Sequence, residues 1–254
     1  MDVVPAADCP SIDCSAVPSI VLPLESTTGI KWHSHPQHQL AWAPDGVLVM
    51  AVDDCRWVVQ RSRALWMPGG VPHSVTPSSP CAMLSLYFEP DECPLDWSRP
   101  TVVDATGLVG PLLTHLAGLP KPRTAQRDRA NAVLWDLLSP LAVTTIPTVL
   151  PTDPQARKVA MGIRDNPADK RGLPEWGHEV GASARTLSRR FREQTGSSFE
   201  RWRTLERLNA ALPLLGAGAP ITRVAREVGY HTASAFIAAF RREVGTTPAA
   251  YFGA

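Results

Sequence analysis

Two stretches of this chain, "LPEWGHEVGASARTLSRRFREQTG" and "PITRVAREVGYHTASAFIAAFRREVGTTPAAYF", share one grammar, and that repetition constrains the fold more than any other feature. In the first, Leu173, Trp176 and Val180 are spaced for one short helix. Gly181 breaks it, Ser183 is a natural N-cap, and Leu187 and Phe191 begin the buried face of a second helix. In the second, Val224 and Val228 bury the first helix, Gly229 makes the break, and Phe236 and Phe240 repeat the spacing of Leu187 and Phe191. Between the copies, "SFERWRTLERLNAALPLLGAG" predicts a connecting helix with Trp202, Leu205, Leu208, Leu212 and Leu215 as its apolar positions. Pro213 removes a hydrogen bond inside it and predicts a kink near its end. One helix-turn-helix pair is a weak signal, because many all-α proteins contain such pairs. A duplicated pair with a connecting helix is far more specific.

The charge distribution follows the same division. Residues 1–154 carry 9 basic and 15 acidic side chains, net −6, whereas residues 155–254 carry 16 and 9, net +7. The basic part is suited to face a polyanion, although two ordinary solvated surfaces would give the same totals. From residue 173 onward every basic side chain is Arg, which favours planar, bidentate contacts with phosphate or guanine. Arg185, Ser188, Arg189 and Arg192 point away from the Leu187/Phe191 face, as a major-groove reader requires. The sequence contains no apolar run long enough to span a bilayer, and its start has no signal-peptide pattern, so a cytoplasmic protein is expected. Cys9, Cys14, Cys55, Cys81 and Cys93 are odd in number and widely spaced, which suits reduced thiols rather than a disulfide framework.

Residues 1–29, rich in Pro, Ser and Ala, read as a leader. The text from Gln39 to Phe88 then consists of short apolar runs cut by turn residues: "QLAWA", "VLVMAV", "RWVVQ", "RALWM" and "AMLSLYF". Such punctuation predicts a compact antiparallel sandwich or barrel. Leu108, Leu112, Leu116 and Leu119, and then Val133, Leu134, Leu137, Leu138 and Leu141, recur at helical steps. Two amphipathic helices follow, to be packed on the β-domain or paired across a dimer. The prolines of "TTIPTVLPTDPQ" make residues 144–155 the expected linker.

The stretch "WHSHPQHQLAW" places three histidines close together. In an extended strand His33, His35 and Gln39 share a face while His38 points elsewhere, and "MPGGVPH" delivers His73 after a turn. Three neutral imidazoles and one amide would leave a divalent ion its full charge, so affinity should fall unless an anion joins. The cluster is open to three readings: a metal-assisted effector site, a metal-free ligand pocket lined by imidazoles, or satisfied histidines in a barrel. Trp32, Trp42, Trp57 and Trp66 lie nearby, and core packing explains them at least as well as stacking on an aromatic ligand.

On "RTLSRRF", "WRTLERLNAALPLL", "ITRVAREVGY", "SAFIAAFRREVGTTP" and the final "YF", the last hundred or so residues resemble the AraC/XylS family of bacterial transcription regulators. "HSHPQHQ" and "PGGVPH" resemble the two cupin motifs, with Gln39 where metal-binding cupins place glutamate, and many AraC-like regulators carry a cupin sensor there. These resemblances imply an α+β, two-domain protein. After the leader come a cupin-like antiparallel β-barrel sensor (30–100), helices for dimerisation or signal transmission (101–143), the linker (144–155), and an AraC-type DNA-binding domain (156–254) with two helix-turn-helix subdomains on a connecting helix. They further imply base contacts from Arg185, Ser188 and Arg189 in the first subdomain and from Ala233, Ser234 and Ala238 in the second. Because two of the latter are alanine, specificity is expected mainly in the first subdomain. Backbone contacts are expected from Thr186, Arg192, Arg203 and Thr232. Metal or effector ligands are expected at His33, His35, Gln39 and His73, with Zn, Ni or Co as the candidate ions and no cofactor required. Promoter DNA, a small-molecule or metal effector, RNA polymerase and a second copy of the chain are the expected partners. The function implied is a sequence-specific transcription regulator without enzymatic activity, activator or repressor. The rival readings are a metal-dependent cupin enzyme of dioxygenase or isomerase class with a helical appendage, and a constitutive DNA-binding protein.

Overall fold

The computed structural model describes residues 19–25, 29–78, 80–120, 124–141 and 146–252. The chain divides into two compact units, one of residues 1–53 and 57–143 and the other of residues 54–56 and 144–254. Cys9 and Cys14 lie outside the described residues.

The first unit is a nine-stranded antiparallel sheet followed by two helices. Its strands are β1 (Ser19–Leu24), β2 (Ile30–His33), β3 (His38–Trp42), β4 (Val47–Val52), β5 (Cys55–Gln60), β6 (Arg63–Met67), β7 (His73–Pro77), β8 (Cys81–Phe88) and β9 (Thr101–Asp104). They pair in the order β1-β8-β3-β6-β5-β4-β7-β2, with β9 added beside β6. The cupin-like sheet is thus a half-barrel with β1 and β2 at its ends. Four strands went unread in the sequence, β7 (HSVTP) among them. β1, placed in the leader, pairs along its length with β8, from Ser19↔Leu86 to Leu24↔Cys81. β9, placed among the helices, pairs with β6. β2 carries half-buried and exposed residues only, so it has no apolar alternation to read.

The strict period of two in β3, β6 and β8 makes two cores. Leu40, Trp42, Ala64, Trp66, Leu84, Leu86 and Phe88 face the helices α1 (Val109–Gly118) and α2 (Ala125–Leu137). Ala41, Leu65, Met67, Cys81 and Met83 face the other way, onto Leu48, Met50 and Val75. The buried face of the helices differs from the one the leucine spacing suggested. Leu113, Leu116 and Leu134 are fully buried, but Leu108 is 57% and Val133 44% exposed. The helix can turn its Gly110 side inward because glycine fits there: a Cβ would lie 3.1 Å from the Trp42 ring.

Among the described residues the second unit has seven helices: α3 (Pro154–Asp165), α4 (Leu173–Val180), α5 (Ala184–Thr195), α6 (Phe199–Gly216), α7 (Ile221–Glu227), α8 (Ala233–Val244) and α9 (Pro248–Phe252). α3 was not read from the sequence, and its first residues fall in the expected linker. The signal was present, since Asp153 caps the helix by accepting from the N–H groups of Gln155 and Ala156, and Pro154 occupies the first turn, where no N–H is needed. α3 brings Ala156, Val159, Ala160 and Ile163 into one core with Trp176, Leu187, Phe191, Phe199 and Trp202. A second set of buried side chains, Val224, Phe236, Phe240 and Tyr251, belongs to the other subdomain. α6 touches helices of both subdomains and continues through Pro213 to Gly216 without a break in its helical assignment.

Residues 146–149 of the expected linker are tied down within this unit. Buried Asn209 donates to Ile146 O (2.9 Å) and Thr148 Oγ1 (3.2 Å), and Trp202 Nε1 donates to Val149 O (2.8 Å). Losing both Asn209 bonds in Asn209→Ala should cost about 1–3 kcal/mol, and Trp202→Phe, which loses one bond, about 1 kcal/mol. Both variants should be cut faster between residues 142 and 150 in limited proteolysis. Cleavage at the wild-type rate would show that these bonds do not hold the strap.

Candidate functional site

In the first helix-turn-helix, Gly181 takes the left-handed conformation (φ 69°) at the end of α4, and Ser183 Oγ accepts from Thr186 N–H (3.0 Å) to start α5. Gly177 must be glycine for the helix to meet the turn, since a Cβ would lie 2.4 Å from Ala182 O. With Leu187 and Phe191 fully buried, Arg185, Ser188, Arg189 and Arg192 are all exposed on the opposite side of α5. The second copy repeats this design. Gly229 has φ 88°, Thr232 Oγ1 accepts from Ala235 N–H (3.1 Å), and Phe236 and Phe240 turn inward. Ser234 and Ala238 are exposed, and Ala233 is half-buried.

The arginines of this unit fall into two groups. Arg164 donates twice to buried Glu206 (3.0 and 2.8 Å), Arg190 donates to Asp153 (2.7 Å), and Arg171 stacks on Trp176 at 3.7 Å while bonding Asp169 and Glu179. These side chains hold the fold. By contrast, Arg185, Arg189 and Arg192 make no hydrogen bond or ion pair among the described residues, so their charges are open to an external anion. Arg203, expected at a DNA backbone, is only 14% exposed, donates to Arg171 O (2.9 Å) and Glu200 (2.5 Å), and lies over Phe199. Its sequence position gave its helix face but not these partners. Thr186 and Thr232 sit in the first turns of α5 and α8, Thr186 hydrogen-bonded to Ser183 and Thr232 exposed.

In the first unit His33 and His73 are cross-strand partners of β2 and β7, and His35 lies in the following loop. Their ligand atoms all fall within 4.8 Å of one another. Each Nδ1 faces a main-chain carbonyl: His33 that of Lys31 (2.9 Å), His35 that of Gln37 (2.8 Å) and His73 that of Val71 (2.9 Å). A carbonyl only accepts, so each Nδ1 carries a proton, and in a neutral ring Nε2 then presents a lone pair. Burial holds His33 below the usual imidazole range and His73 down to about 4, so these two rings are neutral at pH 7. His73 Nε2 is buried without a hydrogen-bond partner.

Gln39 completes the group. Its Nε2 donates to Ser85 Oγ (2.8 Å), which turns Oε1 to within 3.3 Å of His35 Nε2. Gln39 Oε1 is thereby held beside His35 Nε2. Converging imidazoles fixed by backbone carbonyls, with one orphaned nitrogen, fit a divalent cation. Ser85 and Tyr87, whose ring lies edge-on to His35 at 5.2 Å, were missed in the sequence. The alternation of β8 and its register against Gln39 were the available signal. His38 lies outside the group, accepting from Gly69 N–H (2.9 Å) and packing on Trp66. Trp42 and Trp66 belong to the core under the helices, Trp57 is half-buried beside the other core, and Trp32 is exposed.

Comparison with known proteins bears on both units. A family model of AraC-like ligand binding domains matches residues 25–142, and a helix-turn-helix domain model matches residues 176–254. The HTH-type transcriptional regulator NimR of Escherichia coli (strain K12) is 30% identical over 225 residues, covering 86% of this chain and 81% of NimR. The HTH-type transcriptional regulator RipA of Corynebacterium glutamicum is 40% identical over 177 residues, covering 65% of this chain and 54% of RipA. A DNA-binding transcriptional dual regulator of Escherichia coli K-12 aligns in three dimensions over 40% of this chain and 93% of its own. Its identity is 33% and its TM-score 0.37.

The histidine group depends on the turn before β7 lying against the loop before β3. Gly70 N–H donates to His35 O (2.8 Å), and a Cβ on Gly69 would lie 2.0 Å from Pro36 O. Gly69→Ala should therefore force the loops apart and cost about 3 kcal/mol or more. Gly70→Ala has open space and pays only for its left-handed backbone, about 1 kcal/mol. Hydrogen exchange in β3 and β7 measures both. Equal losses would contradict the steric origin.

Proposed function

This chain belongs to the AraC family of helix-turn-helix transcription regulators, and from that premise we propose how its two units share the work. It is a DNA-binding regulator with a ligand-binding domain. In our reading α5 is the principal base reader: Arg185 and Arg189 address guanine through paired hydrogen bonds and Ser188 contacts a neighbouring base. The observation that carries this is the solvent face of α5, where these arginines stand exposed and uncommitted. Ala233, Ser234 and Ala238 of α8 offer at most apolar or short polar contact, so that helix mainly positions the protein, while Thr186, Arg192 and Thr232 touch the backbone. Arg203 is left out of the interface.

His33, His35, His73 and Gln39 are proposed to hold a divalent ion such as Zn²⁺, Ni²⁺ or Co²⁺ as part of the effector site. A cation there would supply an electrophilic anchor for a donor atom of the effector. The relatives compared are transcription regulators, which favours a binding role for these histidines over catalysis. The protein is proposed to act in the cytoplasm as a homodimer on promoter DNA, with RNA polymerase as a further partner. No helix among the described residues is long and apolar enough to cross a membrane.

Selection from a library of binding-site variants tests the division of labour. Arg185→Ala and Arg189→Ala should each relax preference at one base pair by about 1–3 kcal/mol, whereas Ala233→Ser and Ala238→Ser should leave it nearly unchanged. Comparable changes from both helices would overturn the assignment. Arg192→Ala should weaken binding to all sequences and reduce the salt slope by about 0.9, while Arg203→Ala should leave that slope intact. Metal analysis of the purified protein, with DNA binding measured before and after chelation, tests the ion. With a divalent ion supplied in excess, metal uptake and chelator-sensitive DNA binding are expected; no uptake and unchanged DNA binding would remove the ion from the mechanism.

A further inference from the structure

The inward-facing ligand set at the histidine site contains no negative charge. No Asp, Glu or Cys among the described residues joins the cluster of His33, His35 and His73, and the fourth donor is an amide. Ser85 and Tyr87, beside Gln39, present hydroxyl groups. A divalent cation on these four residues would keep its full charge against the fully buried His73. Holding an uncompensated charge away from water is strongly penalised.

The site without a cation has no such difficulty. Turning the Gln39 amide over would give its N–H to His35 Nε2 and leave its oxygen to accept from the Ser85 hydroxyl, whose Oγ already lies 2.8 Å from the amide. A glutamate at this position could not donate in that way and would carry a buried charge of its own. Gln39 thus favours a neutral empty site and leaves the occupied one short of an anion.

We propose that the effector of this pocket is a small carboxylate-type monoanion that binds together with a divalent cation on His33, His35, His73 and Gln39, neither binding tightly alone. The inference rests on the cation reading given above. One carboxylate oxygen provides the negative ligand that Gln39 lacks, and the other can accept from the Ser85 or Tyr87 hydroxyl. Because the coupling is a property of equilibrium, each ligand strengthens the other by the same factor.

The test uses the full chain, stripped with chelator and dialysed into a non-coordinating electrolyte. Co²⁺ is titrated by visible absorption and by calorimetry, with and without acetate as the probe. Acetate should tighten Co²⁺ binding about tenfold or more, within the usual range of coupling between sites, and acetamide should have no effect. Gln39→Glu should bind Co²⁺ tightly without acetate and respond to it less than about twofold. If wild-type protein binds Co²⁺ equally with and without acetate, the anion inference is wrong and the cation reading stands. If it binds no Co²⁺ under either condition, the cation reading itself falls.

Discussion

In β3 and β8 each side chain must serve one of two cores, and its neighbour must serve the other. Leu40, Trp42, Leu84, Leu86 and Phe88 are buried under α1 and α2, so Gln39, Ser85 and Tyr87 are turned to the opposite face. A one-residue slip in register would expose that apolar set and bury the polar one. The cost of that exchange fixes where Gln39 stands, and with it the histidines. The interlocked loops complete the arrangement, because Gly69 and Gly70 bring the approach to His73 against the main chain at His35 and Pro36.

How much of this could be read beforehand depended on how local each signal was. The helix-turn-helix copies are specified by caps, breaks and aromatic spacing within a few residues, so α4, α5, α7 and α8 follow the sequence closely. α3 was hidden by the prolines around it, although Asp153-Pro154 is a helix start when read as a cap. β1 and β9 acquire their place only by pairing with distant β8 and β6. The spacing of His33 and His35 and the turn before His73 are legible in the sequence, but strand parity does not produce their convergence, because β2 ends at His33, His35 lies in the loop and Gln39 stands in β3. The histidine tautomers are not legible, since these depend on carbonyls of Lys31, Gln37 and Val71.

The same distinction separates the arginines. Arg203 and Arg192 are indistinguishable in a helical projection, yet one is closed into contacts with Arg171, Glu200 and Phe199 while the other stands exposed. Exposed ion pairs contribute little to stability, so the structural arginines matter chiefly where they are partly buried, as Arg164 is against Glu206. Among the described residues the side chains of Arg185, Arg189 and Arg192 form no ion pair, although Glu193 stands exposed one turn from Arg189 on the same helix. A phosphate or guanine meeting Arg185 or Arg189 then has no internal carboxylate to displace, and the binding energy is not offset by breaking an ion pair.

A regulatory site has a different requirement from a catalytic metal centre: it must be able to be empty. A carboxylate among buried imidazoles would favour permanent occupancy, because an empty site would strand its charge, and a permanently filled site carries no information. An amide is neutral in both states and can either donate or accept. Ligand binding can shift a conformational equilibrium only through a difference in affinity between states, and the population of each state must remain free to change. At the proposed effector site Gln39 would meet that condition through the one atom in which it differs from glutamate, at the position where the structure sets its oxygen against His35 Nε2.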